Sequence, residues 1–99
     1  MFNGEKYITS GIAASIPEFL RLTLYYIIEM MDIKEKDYLQ VFELSEVILN
    51  GKSKQKIIHF QEQPEFKQTF IITTKESITT KIYIIDDGNY STMLLSSES

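Results

Sequence analysis

"YLQVFELSEVILNGKSKQKIIHFQEQ", residues 38–63, shows what kind of domain this chain forms, because two alternating runs flank Asn50–Gly51. In a strand, successive side chains point to opposite faces. Residues 38–45 and 56–63 both show an alternating pattern with large apolar side chains in each run, which is typical of half-buried strands. An Asn-Gly pair between two such runs is among the better hairpin signals. The segment therefore predicts an antiparallel β-hairpin.

The other strands are predicted from composition. In the first hairpin strand, one face carries Tyr38, Gln40, Phe42 and Leu44, and the other carries Leu39, Val41 and Glu43. Three later runs, at 68–74, 80–86 and 90–95, are rich in Ile, Thr, Phe and Tyr, as strands are. A short β-prone run, "KYITS", ends at Gly11. Short connections predict antiparallel neighbours, because a parallel return needs a crossover of about a dozen residues.

One helix of about four turns is predicted between the first run and the hairpin, from residue 16 to residue 32. "SIPE" at 15–18 resembles a helix start, in which Ser15 and Glu18 form a capping box around Pro17. A stripe at helical spacing is predicted to pack on the sheet, and it comprises Ile16, Leu20, Leu24, Ile27 and Met31. Further apolar residues make the belt broader than one sheet face requires: Phe19, Leu22, Tyr26 and Met30.

These elements predict an α+β fold. One long helix packs on a small antiparallel sheet of four to six strands, in the order β-α-β-β-β-β(-β). The length of 99 residues suits a single domain spanning 1–99, and the hydrophobic fraction of 43% argues for a folded globule. The absence of cysteine excludes disulfides and thiolate zinc sites.

The net charge and the amino-terminal sequence indicate which classes of protein are unlikely. A net charge of -4 argues against a protein that binds nucleic acid by neutralising phosphates. The amino terminus lacks the basic start and apolar stretch of a signal peptide. The longest mostly apolar segment contains Arg21 and Glu29 and is too short to span a bilayer. We therefore expect a cytoplasmic protein with no membrane segment.

Asp86–Asp87–Gly88–Asn89 is the first candidate for a metal or acid–base site. Asp-Gly between alternating strands typically forms a tight turn, since glycine tolerates positive φ angles. Asp86 and Asn89 can cap such a turn through their side chains. The spacing does not follow an EF-hand loop. A structural turn, with no metal or cofactor, is the better interpretation.

His59 is the only histidine, and it lies in the middle of a predicted strand. It could form a polar patch with Glu62, and with Asp86 or Asp87 if strand pairing brings them near. That arrangement is the alternative hypothesis, a small-ligand binder or an enzyme. Catalysis needs a positioned second group, and no set of nucleophile, base and orienting residue can be named. No catalytic residue is predicted, and we expect that the chain is not an enzyme.

Four segments resemble one family of small proteins. They are "YITSGI…IP" at 7–17, "DYLQVFELS" at 37–45, "QKIIHFQEQPEF" at 55–66 and "KIYIIDDGNYSTMLL" at 81–95. The family is domain-of-unknown-function family 960, found in staphylococci, streptococci and related Firmicutes, partly on phages and mobile elements. It carries no assigned reaction, cofactor or catalytic residue. The resemblance therefore implies a bacterial cytoplasmic protein of unknown function.

The function that these patterns favour is a non-enzymatic protein-interaction module. The broad apolar belt of the helix and the six tyrosines favour a protein partner or self-association. The predicted interface comprises Phe19, Tyr26 and Met30, with Glu18 and Glu29 on its rim. In a mobile-element setting, one specific version is an anti-defence inhibitor similar to an anti-CRISPR protein. The net charge of -4 is too small to make DNA mimicry compelling.

Overall fold

A single six-stranded sheet organises the chain. The computed structural model describes residues 2–99. The elements in chain order are β1 (Glu5–Ile8), α1 (Ser10–Ser15), α2 (Glu18–Glu29), β2 (Leu39–Leu49), β3 (Lys52–Gln61), β4 (Phe66–Ile72), β5 (Thr80–Asp86) and β6 (Tyr90–Leu95), followed by one 3-10 turn at Ser96–Glu98. The strands lie in the order β1-β6-β5-β2-β3-β4. The predicted α+β class is confirmed.

The sheet is mixed, because β1 lies parallel to β6 at one edge, with Tyr7 opposite Thr92. All the other neighbouring strands are antiparallel. The prediction of a wholly antiparallel sheet is therefore wrong at this edge. Short connections constrain only strands that follow each other directly. β1 and β6 come from opposite ends of the chain, so no short connection sets their relative direction.

The hairpin of β2 and β3 is confirmed. Asn50 and Gly51 have φ angles of 52° and 75°, which agree with the two positive angles of a type I′ turn. The strands pair without interruption from Leu49↔Lys52 to Val41↔Phe60. The predicted alternation holds in β2, because Gln40, Phe42 and Leu44 are all buried on one face.

The prediction of one long helix is wrong. Within the predicted range, residues 16–32, the helix is α2, which has only 12 residues. The six-residue α1 precedes that range and was not predicted, and the chain between the two helices is extended at Ile16, with φ of -116° and ψ of 116°. A residue before proline is disfavoured in the α region, so Pro17 keeps α1 and α2 separate. The predicted capping box is also wrong, because Ser15 ends α1 and α2 has no side-chain cap at Pro17. Gly11 lies inside α1 and does not end a strand.

The core lies between the helices and one face of the sheet, which we call the inner face; the opposite face is the outer face. The predicted helical stripe is confirmed as core, since its members are all 7% exposed or less: Ile16, Leu20, Leu24, Ile27 and Met31. They pack with inner-face side chains of the sheet, namely Phe42, Leu44, Ile57, Ile82, Ile84 and Met93. Within residues 2–99, no helix is long and apolar enough to cross a membrane.

Candidate functional site

The most exposed large apolar side chains of the helical layer lie in one line on α2 and the residue that follows it. Phe19, Leu22, Tyr26 and Met30 are 62%, 64%, 60% and 61% exposed. We call these four residues the helix stripe. Their spacing of three, four and four residues places them along one side of a helix. That side is opposite Leu24, which is fully buried against the sheet.

The charges near the helix stripe are acidic. Glu18 and Glu29 are exposed on α2, and at about 100° per residue both lie along one edge of the stripe. Surface helices of globular proteins usually turn charged residues toward solvent. Here the centre of the solvent side is apolar, and charge is confined to its margin. The structure therefore exposes all five predicted interface residues, Phe19, Tyr26, Met30, Glu18 and Glu29, on one side of α2; their role as an interface stays a prediction.

A shallow apolar groove continues the helix stripe at its amino-terminal end. Pro17, Phe19 and Leu20 form one wall, and the connection between β4 and β5, from Thr73 to Ile78, forms the other. Phe19 belongs to both the stripe and the groove, so the two surfaces are continuous. This apolar surface thus extends past the helix onto the end of the sheet.

A buried chain of hydrogen bonds links three strands on the inner face. His59 Nε2 lies 2.6 Å from Gln40 Oε1, and His59 Nδ1 lies 2.9 Å from Gln68 Nε2. Gln40 Nε2 donates to Gln61 Oε1 at 2.8 Å and to the Asp37 carbonyl at 2.9 Å. We call Gln68, His59, Gln40 and Gln61 the amide–histidine chain.

The partners of the amide–histidine chain determine the protonation of His59. Because the amide nitrogen of Gln40 donates to two oxygens, its Oε1 faces the ring and must accept from His59 Nε2. Nδ1 then carries no proton and accepts from the Gln68 amide. Burial lowers the pKa of His59 from 6.5 to about 4. The ring is therefore neutral at pH 7, fully buried and stacked on Phe42 with centroids 4.5 Å apart.

The residues of the alternative hypothesis are not brought together. His59 faces the inner side of β3, whereas Glu62 is exposed and follows the last residue of that strand. Asp86 is on β5, two strands away from His59 and four residues further along the sheet. With strands about 4.8 Å apart and about 3.3 Å per residue, the separation is roughly 16 Å. The structure therefore does not bring Asp86 next to His59, and Asp87 lies beyond the end of β5; an activity around His59 stays an untested alternative.

Asp86 to Asn89 form the predicted hairpin turn. Gly88 has a φ of 96°, and the Asp87 amide donates to the Tyr90 carbonyl at 2.8 Å. The sequence did not predict the second role of Asp86, which is 7% exposed and accepts from the amide of Phe2 at 3.3 Å. Among residues 2–99, no cluster of three or more His, Asp or Glu side chains could hold a metal ion.

Comparison with known proteins assigns a family without an activity. The profile of the family described as "Staphylococcal protein of unknown function (DUF960)" matches residues 5–98, and no curated protein matches the chain. A solved protein of unknown function from Enterococcus faecalis is similar, with a TM-score of 0.75 and 24% identity over 98% of this chain and 92% of that one. At that identity the likeness concerns the fold alone. The predicted family is confirmed: this chain belongs to the DUF960 family.

Proposed function

We propose that this protein is a non-enzymatic module that binds another protein through the helix stripe. One observation carries the proposal, which is that four large apolar side chains in a single line are each at least 60% exposed. Isolated exposed apolar residues are normal on protein surfaces, but a contiguous apolar patch on a soluble monomer often marks an interaction site. The continuous groove beside Phe19 enlarges that patch.

The size of the stripe fits the centre of an interface. A large side chain carries on the order of 200 Å² of surface, so the four members together expose roughly 500 Å². A typical protein interface buries about 800 Å² on each partner. The stripe therefore supplies the apolar centre, and the groove between Pro17 and Ile78 together with the acidic edge supplies the remainder.

The charges beside the stripe favour a different protein over a second copy of the chain. If two copies packed α2 against α2 in antiparallel orientation with two-fold symmetry, Glu18 of each copy would approach Glu29 of the other. Like charges at such a contact are destabilising. A partner with an apolar groove bordered by lysine or arginine would instead pair with both glutamates. An inhibitor of a host defence complex is one such module.

The test is to replace Tyr26 with Ser and Met30 with Gln, and then to measure partner capture from host lysate and molecular mass in solution. The matched control replaces Tyr38 with Ser and Ile48 with Gln, since these residues are 56% and 58% exposed but belong to β2 and the residue before it, not to the helix stripe. We expect the first pair to abolish a capture that the control pair retains, with both variants folded. If the two pairs behave alike, the helix stripe is not the binding surface.

The two rim glutamates allow a second measurement once a partner is captured. Replacing Glu18 and Glu29 with Gln should slow association and reduce its salt dependence more than it speeds dissociation, because rim charges act mainly on encounter. Unchanged association kinetics would show that the basic partner surface does not exist.

A further inference from the structure

The outer face of the sheet is uncovered and carries an apolar row across four strands. Both helices pack on the inner face within residues 2–99. On the outer face, Val41 lies between Phe60 on β3 and Tyr83 on β5, and Tyr83 lies beside Leu94 on β6. Val41 is only 4% exposed although no helix covers it. Val41 is therefore shielded by its neighbours on this face, which include its cross-strand partners Phe60 and Tyr83 and the residues that line a depression beside it: Asp37, Tyr38, Leu39, Glu62 and Gln63.

The same face is basic, although the chain as a whole is acidic. Strand positions on the outer face carry five lysines, namely Lys52, Lys54, Lys56, Lys67 and Lys81. The acidic residues at outer strand positions are Glu5 and Glu43, and Glu43 is directly opposite Lys81. Two further glutamates, Glu62 and Glu65 in the connection between β3 and β4, line a depression together with Phe60 and Lys67. The outer strand positions thus have a net charge of +3, and the rest of the chain has -7, which together give the total of -4.

Each aromatic side chain of the row has a lysine beside it. Phe60 pairs directly with Lys67 on the edge strand β4. Lys81 lies two residues before Tyr83, and its Nζ is 5.8 Å from the centre of the Tyr83 ring. Exposed sheet faces that carry aromatic side chains beside cationic ones can bind single-stranded nucleic acids, by base stacking and phosphate contact.

We propose that the outer face binds single-stranded nucleic acid, with bases stacked on Phe60 and Tyr83 and phosphates paired with the surrounding lysines. The unfavourable net charge does not remove this attraction, because a phosphate within about 8–10 Å of the face interacts mainly with the local charge. A double helix fits the face poorly, since its bases are already stacked. The proposal is independent of the helix stripe, which lies on the other side of the sheet.

Binding can be measured by fluorescence anisotropy with labelled oligo(dT) and oligo(U) of about 16 nucleotides. Changing Lys67 and Lys81 to Gln should weaken binding and reduce the slope of log affinity against log salt by about 1.4. The control changes Lys34 and Lys75 to Gln, which alters the net charge equally but at exposed lysines on the helical side. The control should retain most of the affinity and the slope.

Two single variants test the centre of the face. Phe60→Leu keeps an apolar cover over Val41 but removes the ring, and it should weaken binding at least about fivefold. Glu43→Gln removes an exposed carboxylate from the face and should tighten binding. Because Glu43 is exposed, Glu43→Gln tests the proposal with little effect on the stability of the fold.

Four results would overturn the proposal. They are no anisotropy change with either oligonucleotide at about 50 mM salt, equal loss in the control lysine pair, equal affinity for a duplex of the same length, and equal competition by polyglutamate. The last result would assign the face to acidic polypeptides. A difference between oligo(dT) and oligo(U) would distinguish DNA from RNA as the natural ligand.

Discussion

Acid should destabilise this protein through His59 before most of its carboxylates are protonated. In the folded state the ring is fully buried, and its pKa is lowered to about 4 by burial. In the unfolded chain histidine has a pKa of about 6.5. Between these values the unfolded state binds more protons than the folded state, so the free energy of unfolding falls as the pH falls.

The magnitude follows from the two pKa values. The contribution of His59 is fully present above about pH 6.5 and is lost as the pH falls toward the folded pKa of about 4. At about pH 5 the loss amounts to about 2 kcal/mol, and it approaches about 3 kcal/mol near pH 4. Protonation would also place a second donor on Nδ1, which faces the donating amide of Gln68. Neutral His59 is therefore the form that satisfies both hydrogen bonds.

Urea unfolding at about pH 7.5 and about pH 5 measures this loss directly. The comparison is with His59→Gln, which cannot titrate in this range and shares all the carboxylates of the parent chain. The parent should lose about 2 kcal/mol more than the variant between the two pH values. If parent and variant lose equal stability, His59 does not titrate with a lowered pKa and the reasoning fails.

Three further changes test the packing by chemical denaturation. Leu24→Ala should lower the free energy of unfolding by about 2–5 kcal/mol, because Leu24 is fully buried. Leu22→Ala, on the exposed side of the same helix, should change it by no more than about 0.5 kcal/mol. Equal losses would contradict the assigned orientation of the helix. Gly4→Ala should destabilise the edge of the sheet at β1 by about 1–3 kcal/mol, because an ideal Cβ at this position would lie 2.0 Å from the Asn89 carbonyl oxygen. An unchanged denaturation midpoint would refute this expectation. Gly88→Val should cost about 1–3 kcal/mol, because φ is 96°, and a neutral result would mean that the turn relaxes freely.

The features that the sequence predicted well are local. Period-two alternation located β2 and β3, and Asn50–Gly51 located their turn, because positive φ angles restrict which residues can occupy it. The buried stripe of α2 followed from helical spacing, since residues three and four apart share a face. The remaining apolar residues of the helix, which form the helix stripe, could also be identified from the same spacing as the exposed ones.

The features that the sequence did not predict depend on contacts between distant segments. Nothing in residues 5–8 indicates that β1 pairs with β6, because the partner lies more than eighty residues away. The start of α2 near Pro17 was predicted, since proline is common at the first turn of a helix. The helix α1 was not predicted, because a segment of six residues that contains Gly11 is too short to show helical periodicity.

The concentration of lysines on the outer face was not predicted either, because it too depends on how the strands pair. Net charge averages over both faces of the sheet, whereas alternation separates them once the register is known. Lys52, Lys54 and Lys56 all occupy the outer face of β3 because they are two residues apart. Counting charge by sheet face, and not over the whole chain, therefore reveals the excess of lysine at outer strand positions only after the register is known.

The amide–histidine chain specifies the strand register of this sheet, which apolar burial alone does not. A strand that slips by two residues keeps its apolar side chains on the inner face, so hydrophobic burial alone does not distinguish the two registers. Such a slip of β4 would separate Gln68 from His59, which are directly opposite each other in the sheet. A buried polar group without a partner costs about 1–3 kcal/mol. The hydrogen bonds among Gln68, His59 and Gln40 therefore select one register for β2, β3 and β4, and with it the positions of Phe60 and Lys67 on the outer face.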